Sequence, residues 1–238
     1  MTLSLQCHYA HAQVVPSTAT PLTHVYSLPM HTQNWLKWRY ATKKFDATKE
    51  VSAEDLNYIL EAGNLAATSY GLQPFKIVVV TDKEKKQALM GEAYNQGHVG
   101  ENAALLVLAA RTDVDAAYIA EYTARIERTR GLPAGTTDGY KDMMVGHLTN
   151  LTEADRLVWA QKQAYIALGT MMIAAAEKGI DHCPMEGFNP AGFNEVLGLG
   201  AHNLHATVIL PIGYRSVEDE TQNYAKVRKD LADMVVRI

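Results

Sequence analysis

Two patterns of apolar positions alternate along the chain. Lys76–Thr81 (KIVVVT), Ala103–Ala110 (AALLVLAA) and Ala206–Gly213 (ATVILPIG) are short, continuous apolar runs rich in β-branched residues and leucine. Runs of that length between turn residues read as buried strands; Ala103–Ala110 reads as a central strand, with a helix as the open alternative. Elsewhere the apolar positions recur at helical spacing. Thr32–Tyr40 predicts a short helix. Ser52 opens another, with Asp55 three residues on as a variant of the capping box, Leu56, Ile59 and Leu60 as its stripe and Gly63 near its end. Asp82–Gly91 is a charged helix, Val114–Arg130 a longer one, and a further helical stretch runs to about Leu148. Thr152 reads as the N-cap of the longest helix, with Asp155 at N3. Leu157, Val158, Gln161, Tyr165, Leu168 and Met172 keep its spacing, and Gly179 is a plausible C′ glycine. From Ala164 onward this helix is apolar all round, which implies burial in a large core or against a partner chain. Asn189–Leu197 is a short helix. "LAATSYGLQPF" is a connection broken by Gly71 and Pro74, Gly131–Gly139 a mobile loop, and the tail from Tyr214 is polar, then amphipathic.

Helices thus alternate with at least three strands, with no repeat and no linker-like shift in composition. One α+β domain over residues 32–238 is the simplest reading. Residues 1–31 are rich in Thr, Pro, His and Ser and have no helical period. They lack the basic and apolar regions of a signal peptide, so they read as a disordered or variable tail, with Met30 as an alternative start. The net charge of −4 and pI near 6.1 argue against a broad nucleic-acid surface. A basic cluster in such a chain is local and suits one small anion. No apolar run reaches the roughly 18 residues of a membrane span; the longest, Ala164–Ala176, is broken by Gly169 and Thr170. Two cysteines, Cys7 and Cys183, do not make a disulfide scaffold and fit a reducing, cytoplasmic setting.

The common chemical signatures are missing. There is no G-x-x-x-x-G-K-[ST], no H-E-x-x-H, no C-x-x-C and no G-x-S-x-G, and "GLGLGAHN" leads into a strand rather than out of one. No pair of the nine histidines has ligand spacing on a predicted helix face, so no metal site is expected. Four stretches remain, each with a bland alternative. In "WRYATKKFD", Arg39 and Lys43 are four apart and would share a face of a helical turn, where two cations suit a phosphate; a solvated face is the commoner reading of such a pair. In "KVRKD", Lys226 and Arg228 would point the same way from an extended segment, or form a surface charge run. "TSYGLQPF" puts hydroxyls and a glycine just before a strand, where binding loops often lie, or is a plain connection. In "PMEGF", Gly187 would let backbone N–H groups approach a ligand, or closes a turn.

Taken in order, "RYATKKFD", "LAATSYGLQPFKIVVV", "AYNQ", "WAQKQAYIALG", "PMEGF" and "PIGYRSVED…KVRK" resemble the FMN-dependent nitroreductases. The likeness is to the oxygen-insensitive NAD(P)H branch, which includes dihydropteridine reductases, and it covers about 32–238. It implies a dimeric α+β sandwich, with a mostly antiparallel central sheet flanked by helices and FMN at the interface of a homodimer. It also assigns roles. Arg39, Lys226 and Arg228 would bind the phosphate, and Lys43 would lie beside flavin N1 and the C2 carbonyl. Asn95 would meet the pyrimidine edge and Gln163 the ribityl chain. The backbone N–H groups of Glu186 and Gly187 would face N5 and O4, in a loop shaped by Pro184. Thr68, Ser69 and Gly71 would reach the flavin from the partner subunit. Lys44 has no assigned role.

The chain departs from its relatives at Gly71, where many carry Asn, and at Ala41, where many carry Ser; each change removes one hydrogen bond of about 0.5–1.5 kcal/mol. Where relatives have a pocket-gating aromatic, spacing puts Val145, with Tyr140 the nearest ring. The implied chemistry is ping-pong transfer of two electrons from NAD(P)H to small aromatic acceptors, nitroaromatics or quinones. No side chain acts as a nucleophile, and no dedicated acid or base is expected beyond water or a nearby hydroxyl. Cys183 reads as a small buried residue. Dihydropteridine reductase activity, a non-catalytic flavin-binding protein and a cofactor-free interaction protein are the alternatives.

Overall fold

The apolar runs become strands because each has two faces to bury. The computed structural model of the protein describes residues 32–238; the expectations of a tail over 1–31 and of a start at Met30 lie outside the described residues. Four strands, β1 (Phe75–Val80), β2 (Ala104–Arg111), β3 (Asp181–His182) and β4 (Leu204–Gly213), form an antiparallel sheet in the order β1-β2-β4-β3. In β2, Leu105, Val107 and Ala109 enter one core cluster, while Ala104, Leu106 and Leu108 enter the other. That is the strand period of two acting on a run buried on both sides. Leu106 lies opposite Leu210, and a register shift between Leu108 and Ala109 bends the β2–β4 pair.

Helices cover both faces. On one side lie α2 (Ala53–Asn64) and α7 (Glu153–Glu177), giving Ile59, Ala164, Ala167 and Met171 to the core. On the other lie α3 (Lys83–Glu92), α4 (Gly97–Gly100) and α8 (Pro190–Leu197), giving Leu89, Val99 and Phe193. Each such large side chain, fully buried, is worth about 1.5–3 kcal/mol. The sandwich expected from the sequence is therefore present.

The predicted caps set the helix ends. Ser52 Oγ accepts from the Asp55 N–H at 3.0 Å, and Thr152 Oγ1 accepts from the Asp155 N–H at 3.1 Å. Gly179 takes φ +67°, and the Ile180 N–H donates back to the Ala175 carbonyl at 2.8 Å. The chain then turns directly into β3, a two-residue strand with no readable pattern of its own.

A smaller cluster of Leu72, Val114, Ile119, Met144 and Leu148 lies under α5 (Ala116–Arg130) and α6 (Asp138–Leu148). The expected mobile loop between them is instead tied down. Gly131, in the left-handed region, folds the chain back over the last turn of α5. There the Glu127 carboxylate accepts from Thr137 N–H at 2.8 Å, Thr137 Oγ1 at 2.7 Å and Gly135 N–H at 3.2 Å.

Candidate functional site

The segment after α1 (Thr32–Trp38) is extended, not the helical turn read from the Arg39–Lys43 spacing. Ala41 bridges His182 in parallel, and Phe45 bridges Arg215 antiparallel. The segment thus continues the sheet beyond β3. Main-chain pairing to β3 outweighs any local helical preference, and the outcome for the side chains is the same, since positions 39, 41 and 43 share one side of an extended chain. Trp38 and Tyr40 turn to Arg215, whose guanidinium lies 4.6 Å from each ring centroid. Arg215 is fixed by buried Asp181, with Nε 2.8 Å and Nη2 2.5 Å from Oδ1.

Arg39 takes a different partner. Its Nε–H donates to His182 Nε2 at 3.0 Å. His182 is fully buried, and its Nδ1 lies 3.2 Å from the Ile180 carbonyl. Burial, and then the charge of Arg39, pushes the His182 pKa down to about 4. The imidazole is neutral, with its proton on Nδ1, because arginine can only donate. Lys226 Nζ donates to the Arg39 main-chain carbonyl. A cavity of about 320 Å³ is lined by Arg39, Ala41, Pro184, Lys226 and Arg228, among others. A second, of about 350 Å³, shares Arg39, Lys226 and Arg228. Burial first, then Arg39 and Arg228 across the cluster, lowers the pKa of Lys226; burial likewise lowers that of Arg39. The described ion pairs engage Lys44, Lys49, Arg111, Arg125, Lys141, Lys178 and Arg215, and none engages Arg39, Lys43, Lys226 or Arg228. A cavity of about 470 Å³ elsewhere also has arginines, but Arg111 there is held by Asp113 and Arg125 by Glu121. Uncompensated positive charge marks the Arg39 cluster as the place for an anion.

Lys43 is aimed by two contacts. Its Nζ lies 3.6 Å from Cys183 Sγ, and its N–H donates to Asp219 Oδ2 at 2.8 Å. Cys183 is buried, as expected, and burial raises its thiol pKa against the pull of Lys43. Asp219 also accepts from Thr221 Oγ1 at 2.5 Å, Tyr40 Oη at 2.9 Å, Thr221 N–H at 3.1 Å and Lys44 N–H at 3.2 Å. Burial works to raise its pKa, but these bonds together hold it below its ordinary value. Lys44 makes an exposed pair with Glu218.

The "PMEGF" loop borders the same region. The N–H groups of Cys183 and Met185 donate to Pro211 and Ile209 of β4 at 3.1 and 2.9 Å. The next two, of Glu186 and Gly187, have no partner among the described residues. Two side chains hold this loop: Tyr165 Oη donates to Glu186 Oε1 at 2.7 Å, and Gln96 Nε2 donates to the Gly187 carbonyl at 2.7 Å. Burial, then the bond to Glu186, raises the Tyr165 pKa to about 12. Asn95, beside Gln96, takes φ +55°, as does Tyr94. Two consecutive non-glycine residues in the left-handed region are a strained arrangement of the kind found at binding sites.

Thr68, Ser69, Gly71 and Gln163 form a separate group. The Ser69 N–H donates to Gln163 Oε1 at 2.8 Å, and Gln163 Nε2 donates to the Trp159 carbonyl at 3.1 Å. Gly71 has φ +74°, and a Cβ there would lie 2.3 Å from Tyr122 Oη, so any larger residue would be strained and would have to displace Tyr122. Tyr70 packs against Tyr140, His147 and Trp159, and Val145 is in the small core beneath. This group lines neither cavity at Arg39. Sequence reasoning missed His182, Tyr165 and the Asp181–Arg215 pair, which carry no local pattern. Asp219 had one: an Asp two residues before Thr221 forms an Asx turn.

The fold is an α+β sandwich whose extended edge carries a cation cluster without ion pairs, beside a loop whose N–H groups have no partner among the described residues. The sequence profile of the Nitroreductase family matches residues 36–214. Over 189 residues the chain is 36% identical to "Putative NAD(P)H nitroreductase YfkO" of Bacillus subtilis (strain 168), covering 75% of this chain and 86% of that protein. Its fold is similar to that of a Bacillus subtilis structure titled "putative nitroreductase ydfN" (TM-score 0.78, 23% identity, 87% and 98% of the two chains). It is also similar to that of a nitroreductase so titled from Exiguobacterium sibiricum 255-15, solved in complex with FMN (TM-score 0.76, 21% identity, 89% and 99%). The chain belongs to the nitroreductase family. Lys226 and Arg228 lie beyond the span that the family profile matches.

Proposed function

We propose that this protein is an NAD(P)H-dependent FMN oxidoreductase that passes two electrons, in alternating half-reactions, to nitroaromatics or quinones. One observation carries the reading: Arg39, Lys226 and Arg228 are drawn together at one cavity with no ion pair to a carboxylate, which fits a phosphate-bearing cofactor. The FMN-bound structural neighbour and the NAD(P)H nitroreductase names of the relatives support it.

FMN would supply a two-electron carrier that accepts hydride from NAD(P)H and delivers it to an electron-poor ring. The rest is the work of the chain. Arg39, Lys226 and Arg228 bind the phosphate, with Ala41 and Pro184 as the cavity wall. Lys43 sets a fixed cation where negative charge develops on reduction. The free N–H groups of Glu186 and Gly187 supply preorganised donors, held by Tyr165 and Gln96. Asn95 meets the pyrimidine edge, and Thr68, Ser69 and Gly71 complete the site from a second copy of the chain. Gln163 acts by holding that loop, since both ends of its amide are engaged. Catalysis is then mainly positioning of rings at near-attack distance.

A homodimer fits the outer face of α7, where Val158 and Ile166 remain 46% and 48% exposed, Ile166 in the half that is apolar all round. No helix among the described residues is long and apolar enough to cross a membrane, and we take 32–238 as one catalytic domain. The test is spectroscopic. The purified protein should be yellow, bleach with NADH or NADPH, and recover its colour with menadione or a nitrofuran. A colourless protein that takes up no added FMN at micromolar levels would refute the reading. Recovery with a quinonoid dihydropterin alone would move the substrate to the pterin class.

A further inference from the structure

We propose that His182 is the positioning residue that makes Arg39 a phosphate fork, and so makes the site select FMN over riboflavin. The inference rests on the reading above that Arg39 meets a phosphate. An arginine binds a phosphate best through two parallel N–H bonds from a guanidinium fixed in its plane. Arg39 has a long side chain and no carboxylate to orient it. Its Nε–H is instead committed to His182 Nε2, and neither terminal nitrogen has a described partner. His182 cannot drift. Its Nδ1 is bonded to the Ile180 carbonyl, its backbone pairs with Ile212 of β4, and its carbonyl accepts from the Thr42 N–H. At its other end, Arg39 is held through its carbonyl by Lys226.

The chemistry of the acceptor matters as much as its place. A carboxylate at position 182 would hold the guanidinium equally well but would cancel the charge meant for the phosphate. A neutral imidazole gives direction and leaves the charge intact. Burial keeps it neutral well below physiological pH.

The experiment measures binding of FMN and of riboflavin to apoprotein by titration calorimetry. The proteins are the parent, His182→Phe, His182→Gln and His182→Asn. Riboflavin has the same ring without the phosphate, so the ratio of the two affinities isolates the phosphate contact. His182→Phe should weaken FMN about 10- to 100-fold, the scale of a lost hydrogen bond to a charged group, and leave riboflavin unchanged. His182→Gln, whose Oε1 can accept from Arg39, should restore most of the ratio; His182→Asn, with a shorter reach, should not. A general loss of structure would lower both affinities together. An unchanged ratio in both His182→Phe and His182→Asn, or an equal loss of both flavins, overturns the inference while leaving the FMN reading standing. A parent protein that does not prefer FMN to riboflavin overturns both. If His182→Phe does not fold, the Gln and Asn variants decide.

Discussion

The cations of the site are kept apart from carboxylates, yet a carboxylate builds the site. Asp219 is not paired with any of them through their charged ends; it holds the backbone of Lys43 and Lys44 and the Tyr40 hydroxyl. The two kinds of residue should therefore fail differently. Lys226→Ala combined with Arg228→Ala removes two phosphate donors and should lower FMN retention at least 10- to 100-fold, read as bound flavin after gel filtration, with the melting temperature little changed. The buried titratable groups predict two separate acid windows. Asp219 has a folded-state pKa below the ordinary 3.8, so its contribution is complete above that value and is lost as pH falls through the lowered one. His182 and His98 are pushed down from 6.5 to about 4, chiefly by burial. Between those values the unfolded chain binds the protons, so stability should fall as pH drops from 6.5 to about 4 and level off below. Denaturant midpoints across pH 3–7 would resolve the two windows. Asp219→Asn should flatten only the lower one, and His98→Asn should reduce only the slope of the upper.

At the scale of elements, what was legible followed from pattern, and what was not followed from pairing. The three apolar runs became strands within a residue or two of their expected limits, because a run buried on both faces fits poorly anywhere else. Ser52 and Thr152 capped the helices they were expected to cap. By contrast, β3 is two residues long, and the 39–46 segment is extended where it pairs with β3 at Ala41 and with the stretch after β4 at Phe45. No local window contains that information. Of the candidate site, the basic residues and the "PMEGF" loop could be read from the sequence, whereas the groups that aim them, His182, Tyr165 and Asp219, are distant in the chain. Gln163 shows how one helix governs a loop. It bonds the Ser69 N–H from within α7, so Gln163→Leu removes the acceptor of that N–H. The expected loss is about 0.5–1.5 kcal/mol of stability, with faster amide exchange confined to Thr68–Leu72. Unaltered exchange there would show that the loop holds itself.

At the scale of the whole molecule, the exposed outer face of α7 is where the proposed second copy would pack. Ile166→Lys places a charge where the proposed homodimer buries apolar surface. It should shift the protein toward monomer in sedimentation velocity and release FMN with it, although no residue at the Arg39 cavity has been touched. A monomer that retains FMN would place the whole cofactor site within one chain. The stacking of Trp38 on Arg215 has a practical consequence. An indole is built into the backbone segment that carries Arg39, and flavins absorb at the wavelengths where indoles emit. The native protein thus contains its own optical gauge, whose brightness should track loading of the neighbouring cavity without any attached dye.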